Sequence, residues 1–184
     1  MDSETFDETI HDRFSRSPLL DLASLVVRTL FLDENKIAYA EVLVGDHMEI
    51  MPIRSSKFQM FLKALYYSIL KDLCSSKEIN QAIDILEAHA QFDGAGTIKL
   101  HNRVAWQGDS IYYDSADASC RAVCITREGW AIDRHPPILF RRYLNQSPQV
   151  MPISNGNIWR LVDFLNIQDK KHILLVLIWL VTAF

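Results

Sequence analysis

Apolar residues recur at helical spacing at the start of the patterned part of the chain: Leu19, Leu22, Val26 and Leu30, with Leu25 and Leu32 widening the stripe. Ser17 is placed to cap this helix and Pro18 suits its first position, where the missing N–H costs nothing, so a helix is predicted over residues 18 to 32. From Ile37 to Arg54 the period drops to two. Tyr39, Glu41 and Leu43 fall on one face and Ala40, Val42 and Val44 on the other, and Val44-Gly45-Asp46-His47 supplies a glycine-first turn, which predicts a β-hairpin. Pro52 removes a ladder donor and puts the second strand at an edge or near its end.

Two further helices each begin with a capping box, Ser56-Lys-Phe-Gln59 and Ser75-Ser-Lys-Glu78. Phe58, Phe61, Leu62, Leu65 and Ile69 form the apolar stripe of the first, and Ile79, Ala82, Ile83, Leu86 and Ala90 that of the second. Such a pair can be a helix-turn-helix with the following strands as a wing; a plain helical hairpin covering a sheet explains the pattern as well and is the expectation. After Phe92-Asp-Gly-Ala-Gly96, β-branched and aromatic runs alternate with glycine-bearing turns: Thr97 to Trp106, Ser110 to Asp114, Cys120 to Thr126 and Trp130 to Asp133. That spacing predicts an antiparallel meander. Pro136-Pro137 breaks the ladder and leads into a short extended segment, Ile138 to Tyr143.

Residues 144–156 have a linker composition, Asn157 is placed to cap a helix carrying Ile158, Leu161, Val162 and Leu165, and Asp169 to cap a last one. This last helix is apolar on every face and needs a cover. The fold class expected is α+β: an antiparallel β-meander with a β-hairpin, covered by a helical pair, plus N- and C-terminal helices. A flexible acidic arm is expected over 1–16, an α+β domain over 17–143, a linker over 144–156 and a C-terminal helical segment over 157–184.

Composition narrows the class without naming a function. With 49% hydrophobic residues the 184-residue chain can bury a core, and a formal charge of -4 provides no global drive towards nucleic acid, so any such binding needs a local basic patch. The three cysteines are too few and too irregular for a disulfide framework, and the acidic start is the opposite of a signal peptide, which points to the cytoplasm. As a helix, His172 to Phe184 spans about 20 Å at about 1.5 Å per residue, short of a hydrocarbon core of roughly 30 Å, so no membrane partner is expected.

Few constellations carry chemistry. Gly94-Ala-Gly96-Thr97 precedes a strand instead of opening a helix and lacks the Gly-Lys-Ser/Thr of a phosphate loop, so a helix cap is the simpler reading. Cys120 and Cys124, both placed in a predicted strand, would stand about 13 Å apart at about 3.3 Å per residue, and neither His101 nor His135 completes a conventional ligand spacing; no metal or cofactor is expected. Asp109, Asp114 and Asp117 can hold Mg²⁺ or serve a small hydrolase or nuclease, yet aspartate is also a common turn residue. Arg134, Arg141 and Arg142 share a stretch with Tyr143, and Lys57, Lys63, Lys71 and Lys77 lie on or beside the helical pair; these eight residues are the nucleic-acid candidates. Ile173, Leu174, Leu177, Ile178, Trp179, Val181 and Phe184 are the interface candidates on the last helix.

The order Met51-Pro-Ile-Arg-Ser-Ser-Lys-Phe58, Leu86-Glu-Ala-His-Ala90, Arg103-Val-Ala, Ile111-Tyr-Tyr-Asp114, Ala122-Val, Gly129-Trp130, Pro136-Pro-Ile and Phe140-Arg-Arg142 resembles a region of phage and mobile-element primase-helicase-type ATPases. Asn157 to Asn166 and Leu174 to Ala183 continue the resemblance into the helix that, in that family, leads towards the Walker A strand. In such proteins this region precedes the ATP-binding module. The resemblance therefore implies the non-catalytic N-terminal portion of a DNA replication protein, contributing DNA or assembly contacts next to an ATPase module that this sequence does not include, since no Gly-x-x-x-x-Gly-Lys-Ser/Thr loop is present. The alternative from the residues alone is a stand-alone interaction module that oligomerises through its apolar C-terminal helix.

Overall fold

The computed structural model describes residues 17–143 and 145–182, Val181 and Thr182 by their backbone only. The expected acidic arm over 1–16 lies outside the described residues. The chain divides into two compact units, joined between Ser147 and Pro148.

The first unit begins with α1 (Pro18–Val26). The predicted helix ends there, and residues Val27–Leu32 form β1 instead, paired antiparallel with β2 (Ala38–Val44) from Val27↔Val42 to Leu32↔Ala38. Leu30 and Leu32 fit a helical stripe and a strand alternation equally; ladder partners and burial of Phe31 and Leu32 decide for the strand. β2 turns through Gly45, at φ 63, into β3 (His47–Pro52), giving a three-stranded sheet in the order β1-β2-β3. The hairpin follows its predicted glycine-first turn, with Pro52 at the last rung of an edge strand, opposite Tyr39.

α2 (Ser56–Leu70) is capped one residue earlier than the pattern indicated: Ser55 Oγ accepts from the Phe58 amide at 3.1 Å. Phe58 then occupies the position from which a Gln would reciprocate, so a capping box cannot close. α3 (Ser76–Phe92) has its box as predicted, Ser75 and Glu78 each accepting the other's amide hydrogen. All five stripe residues of α3 are buried, together with Phe58, Leu62 and Tyr66 of α2 and Leu19, Leu22 and Ala23 of α1. They share one core with Ala38, Ala40, Val42, Met51 and Ile53, so the helices form a layer over one face of the sheet. On α2, Tyr66 takes the place expected of Ile69, which is half exposed.

The opposite face of this sheet carries the stacked rings of Phe31 and Tyr39, 5.7 Å apart, which cluster with Leu100, Ile98 and Leu139. Residues 95–98 line the outer side of β1: Leu32 donates to the Gly96 carbonyl at 2.9 Å, and Ile98 donates to the Leu32 carbonyl at 2.8 Å. Gly94 allows this approach, since a Cβ there would lie 2.5 Å from the Leu30 carbonyl oxygen.

The meander is present as predicted: β4 (Val104–Gln107), β5 (Ser110–Asp114), β6 (Ala122–Ile125) and β7 (Trp130–Asp133) form a four-stranded antiparallel sheet in chain order. Residues 97–103, expected as the start of its first strand, instead make isolated bridges, Leu32↔Thr97 and His101↔Phe140. The second of these lays the 138–141 segment beside His101, and Ile138 and Phe140 pack on Ala105 and Ala122.

The second unit holds a 3-10 helix (Ile158–Phe164) in place of the expected α-helical start, with the Asn157 side chain accepting from Trp159 as anticipated. It ends in α4 (Lys170–Thr182), where Asp169 Oδ1 accepts from the Lys171 amide at 2.8 Å.

Candidate functional site

Arg141 and Arg142 sit on one extended segment, where consecutive side chains point to opposite sides. Arg141 Nη2 donates to Asp33 Oδ2 at 2.7 Å and to Glu34 Oε1 at 3.0 Å. Asp33 is fully buried, and its other oxygen accepts from the amides of Asn35 and Ile37. Hydrogen bonds from backbone amides, its own and that of Leu100, followed by the attraction of Arg141, hold the Glu34 carboxyl below the usual glutamate range. Arg142 engages the equally buried Asp114 through Nε and Nη2, and its Nη1 donates to the Asp117 carbonyl at 2.6 Å and lies 3.1 Å from Cys120 Sγ. The guanidiniums that the sequence offered to phosphate are thus engaged by carboxylates, and each ties a turn to the 138–143 segment.

The remaining basic candidates are spread out. Lys57 is paired with Glu49, while Lys63, Lys77 and the left-handed cap residue Lys71 are exposed on a helical pair that also carries Asp72, Glu78, Asp84 and Glu87. Arg134 is exposed after β7, and the Tyr143 hydroxyl stands 3.4 Å from Asn102 Oδ1. The three aspartates also part company: Asp114 and Asp117 face Arg142 and Arg121, whereas Asp109 is exposed at a turn, 3.8 Å from Arg127.

A polar seam joins the two sheets. His47 and Glu49, two apart on β3, share a face, and Cys120 reaches them from the β5–β6 loop, where its backbone is left-handed at φ 55. His47 Nε2 lies 3.2 Å from Glu49 Oε1, and the ligand atoms of the three residues all fall within 4.8 Å of one another. Burial pushes the Cys120 thiol up to about 11, against the pull of Arg142. Burial also raises the Glu49 carboxyl, but the hydrogen bond and charge of Lys57, and then His47, leave it below its ordinary value. Cys120 belongs to a loop and not, as predicted, to the strand that holds Cys124. A His-x-Glu alternation on one strand is visible in the sequence; the approach of a cysteine 71 positions beyond Glu49 is not.

Apolar surface is exposed in both units. The meander register sets Trp106, Ile111, Ile125 and Trp130 in one row across all four strands, and Trp106, Ile125 and Trp130 are 62%, 39% and 42% exposed. On α4, Leu174, Leu175, Ile178 and Trp179 are at least half exposed, Ile173 is half-buried and Leu177 is buried. The Val181 side chain and Phe184 lie outside the described residues. A shallow groove between α1 and α3, lined by Leu20, Val27, Ile85 and Leu86, also takes in Arg28, His89 and Asp93.

Among the described residues no helix is long and apolar enough to cross a membrane. Compared with protein-family models, with curated proteins and with solved structures, the chain has no match.

Proposed function

We propose that this chain is a non-catalytic assembly module that associates with a second copy of itself through α4. The observation that carries the reading is the exposure of Leu174, Leu175, Ile178 and Trp179 on a helix with apolar residues on every face. An apolar patch of that kind marks an association surface or an aggregation hazard. The sequence resemblance to the region before the ATPase module of primase-helicase-type proteins supports a replication setting, in which such a module contributes assembly contacts. DNA contact receives less support, because Arg141 and Arg142 are held by Asp33, Glu34 and Asp114. In that setting Lys63, Lys71, Lys77 and Arg134 are the members of the candidate set still open to phosphate, and their binding would weaken steeply with salt.

Sedimentation velocity of the full chain tests the proposal. Concentration-dependent dimers or larger species are expected, and the double change Leu174→Asp, Leu175→Asp should yield a monomer with an unchanged circular dichroism spectrum. A wild-type chain that stays monomeric and soluble at high concentration overturns it.

A further inference from the structure

We propose that His47, Glu49 and Cys120 form a binding site for one zinc ion, with water as its remaining ligand. An imidazole nitrogen, a carboxylate oxygen and Sγ are three donor types zinc takes, and one such atom from each residue lies within 4.8 Å of the others. Bonds of about 2.0–2.3 Å to a tetrahedral ion set such donors roughly 3.5 Å apart, so modest side-chain rotation closes the site. Two of the donors come from β3 and one from a loop beyond β5, so an ion here would bridge the two sheets of the first unit.

The outer contacts strengthen the assignment. Asp46 Oδ1 stands 3.4 Å from His47 Nδ1, the kind of carboxylate partner that orients a ligating imidazole, and leaves Nε2, 3.2 Å from Glu49 Oε1, as the nitrogen facing the site. Lys57 Nζ donates to the second carboxylate oxygen of Glu49 and orients the first. Arg142 Nη1, 3.1 Å from Sγ, stabilises a thiolate. Binding is a balanced exchange: the Sγ–H bond breaks, the proton leaves to water, and the sulfur lone pair forms the zinc bond. The thiolate donor favours zinc over magnesium or calcium, which take oxygen ligands.

The reduced full chain, freed of metal by chelation, is titrated with Zn²⁺ against a chromophoric chelator and with Co²⁺ by absorption. One ion per chain and a near-ultraviolet thiolate-to-cobalt band are expected. Cys120→Ser should abolish the band and weaken zinc by at least about 100-fold, Asp46→Asn by about 10-fold, and Cys74→Ser and Cys124→Ser should leave binding intact. Absence of the band in the wild-type chain, or zinc affinity unaffected by Cys120→Ser, overturns the site and leaves an ion-pair network only. The wild-type cobalt spectrum decides the matter even where a variant fails to fold.

Discussion

Arg141 reaches the buried carboxylate of Asp33 at 2.7 Å across 108 residues of chain. Removing the cation strands a charge whose other oxygen is already saturated by two amides. Arg141→Ala is therefore expected to cost about 3 kcal/mol, the low end for a broken buried pair because the Glu34 side of the guanidinium is open to water. Urea denaturation of Arg141→Ala, Asp33→Asn and the double variant checks this; strict additivity of the two single effects would show that the pair does not couple.

Arg142 holds the β5–β6 loop by the Asp114 carboxylate and the Asp117 carbonyl. Arg142→Lys loses the planar fork and is expected to free residues 115–121 while sparing the three-stranded sheet. Hydrogen exchange should then show faster exchange at Ser115 and Arg121, whose amides are bonded within this loop, with Ala40 and Val42 unchanged.

At Gly94 an added Cβ would meet backbone on two sides, the Leu30 oxygen at 2.5 Å and the Ala90 oxygen at 2.8 Å. Neither can swing away as a side chain can. Gly94→Ala is expected to lower stability by about 1–3 kcal/mol, read as a fall in the urea midpoint; a neutral result would mean that α3 and β1 do not approach this closely.

Burial raises the Asp117 carboxyl, yet the amide hydrogen bond, side-chain hydrogen bond and charge of Arg121, with Arg142 beyond, bring it below the ordinary value of 3.8. A carboxyl depressed in the folded state contributes stability that is present above its unfolded value and lost as pH falls through the folded one. The wild-type chain should lose stability over that acidic window more steeply than Asp117→Asn, as followed by thermal melts at stepped pH; parallel curves would remove Asp117 from the account.

Local patterns were legible in the sequence where one period dominated. The α3 stripe, the Gly45 turn, the Ser75 box and the meander turns each depend on residues within a few positions of one another. β1 is hidden from the pattern because Leu30 and Leu32 satisfy two periods, and only the partner strand, several residues later, separates them. The arginines had the right residue type for phosphate, but their carboxylate partners are set by tertiary contacts that no spacing encodes. The same holds for Cys120, whose companions on β3 lie far away in the chain.

The positions of the tryptophans have one more consequence. All four, Trp106, Trp130, Trp159 and Trp179, are at least 42% exposed, while the cores are built from leucine, isoleucine, valine, alanine, methionine, phenylalanine and tyrosine. Emission from this chain should therefore report on what covers its surface and respond weakly to loss of its interior. Folding then rests on side chains other than the tryptophans, which leaves selection free to change these surface positions while the threshold for a stable fold is met elsewhere.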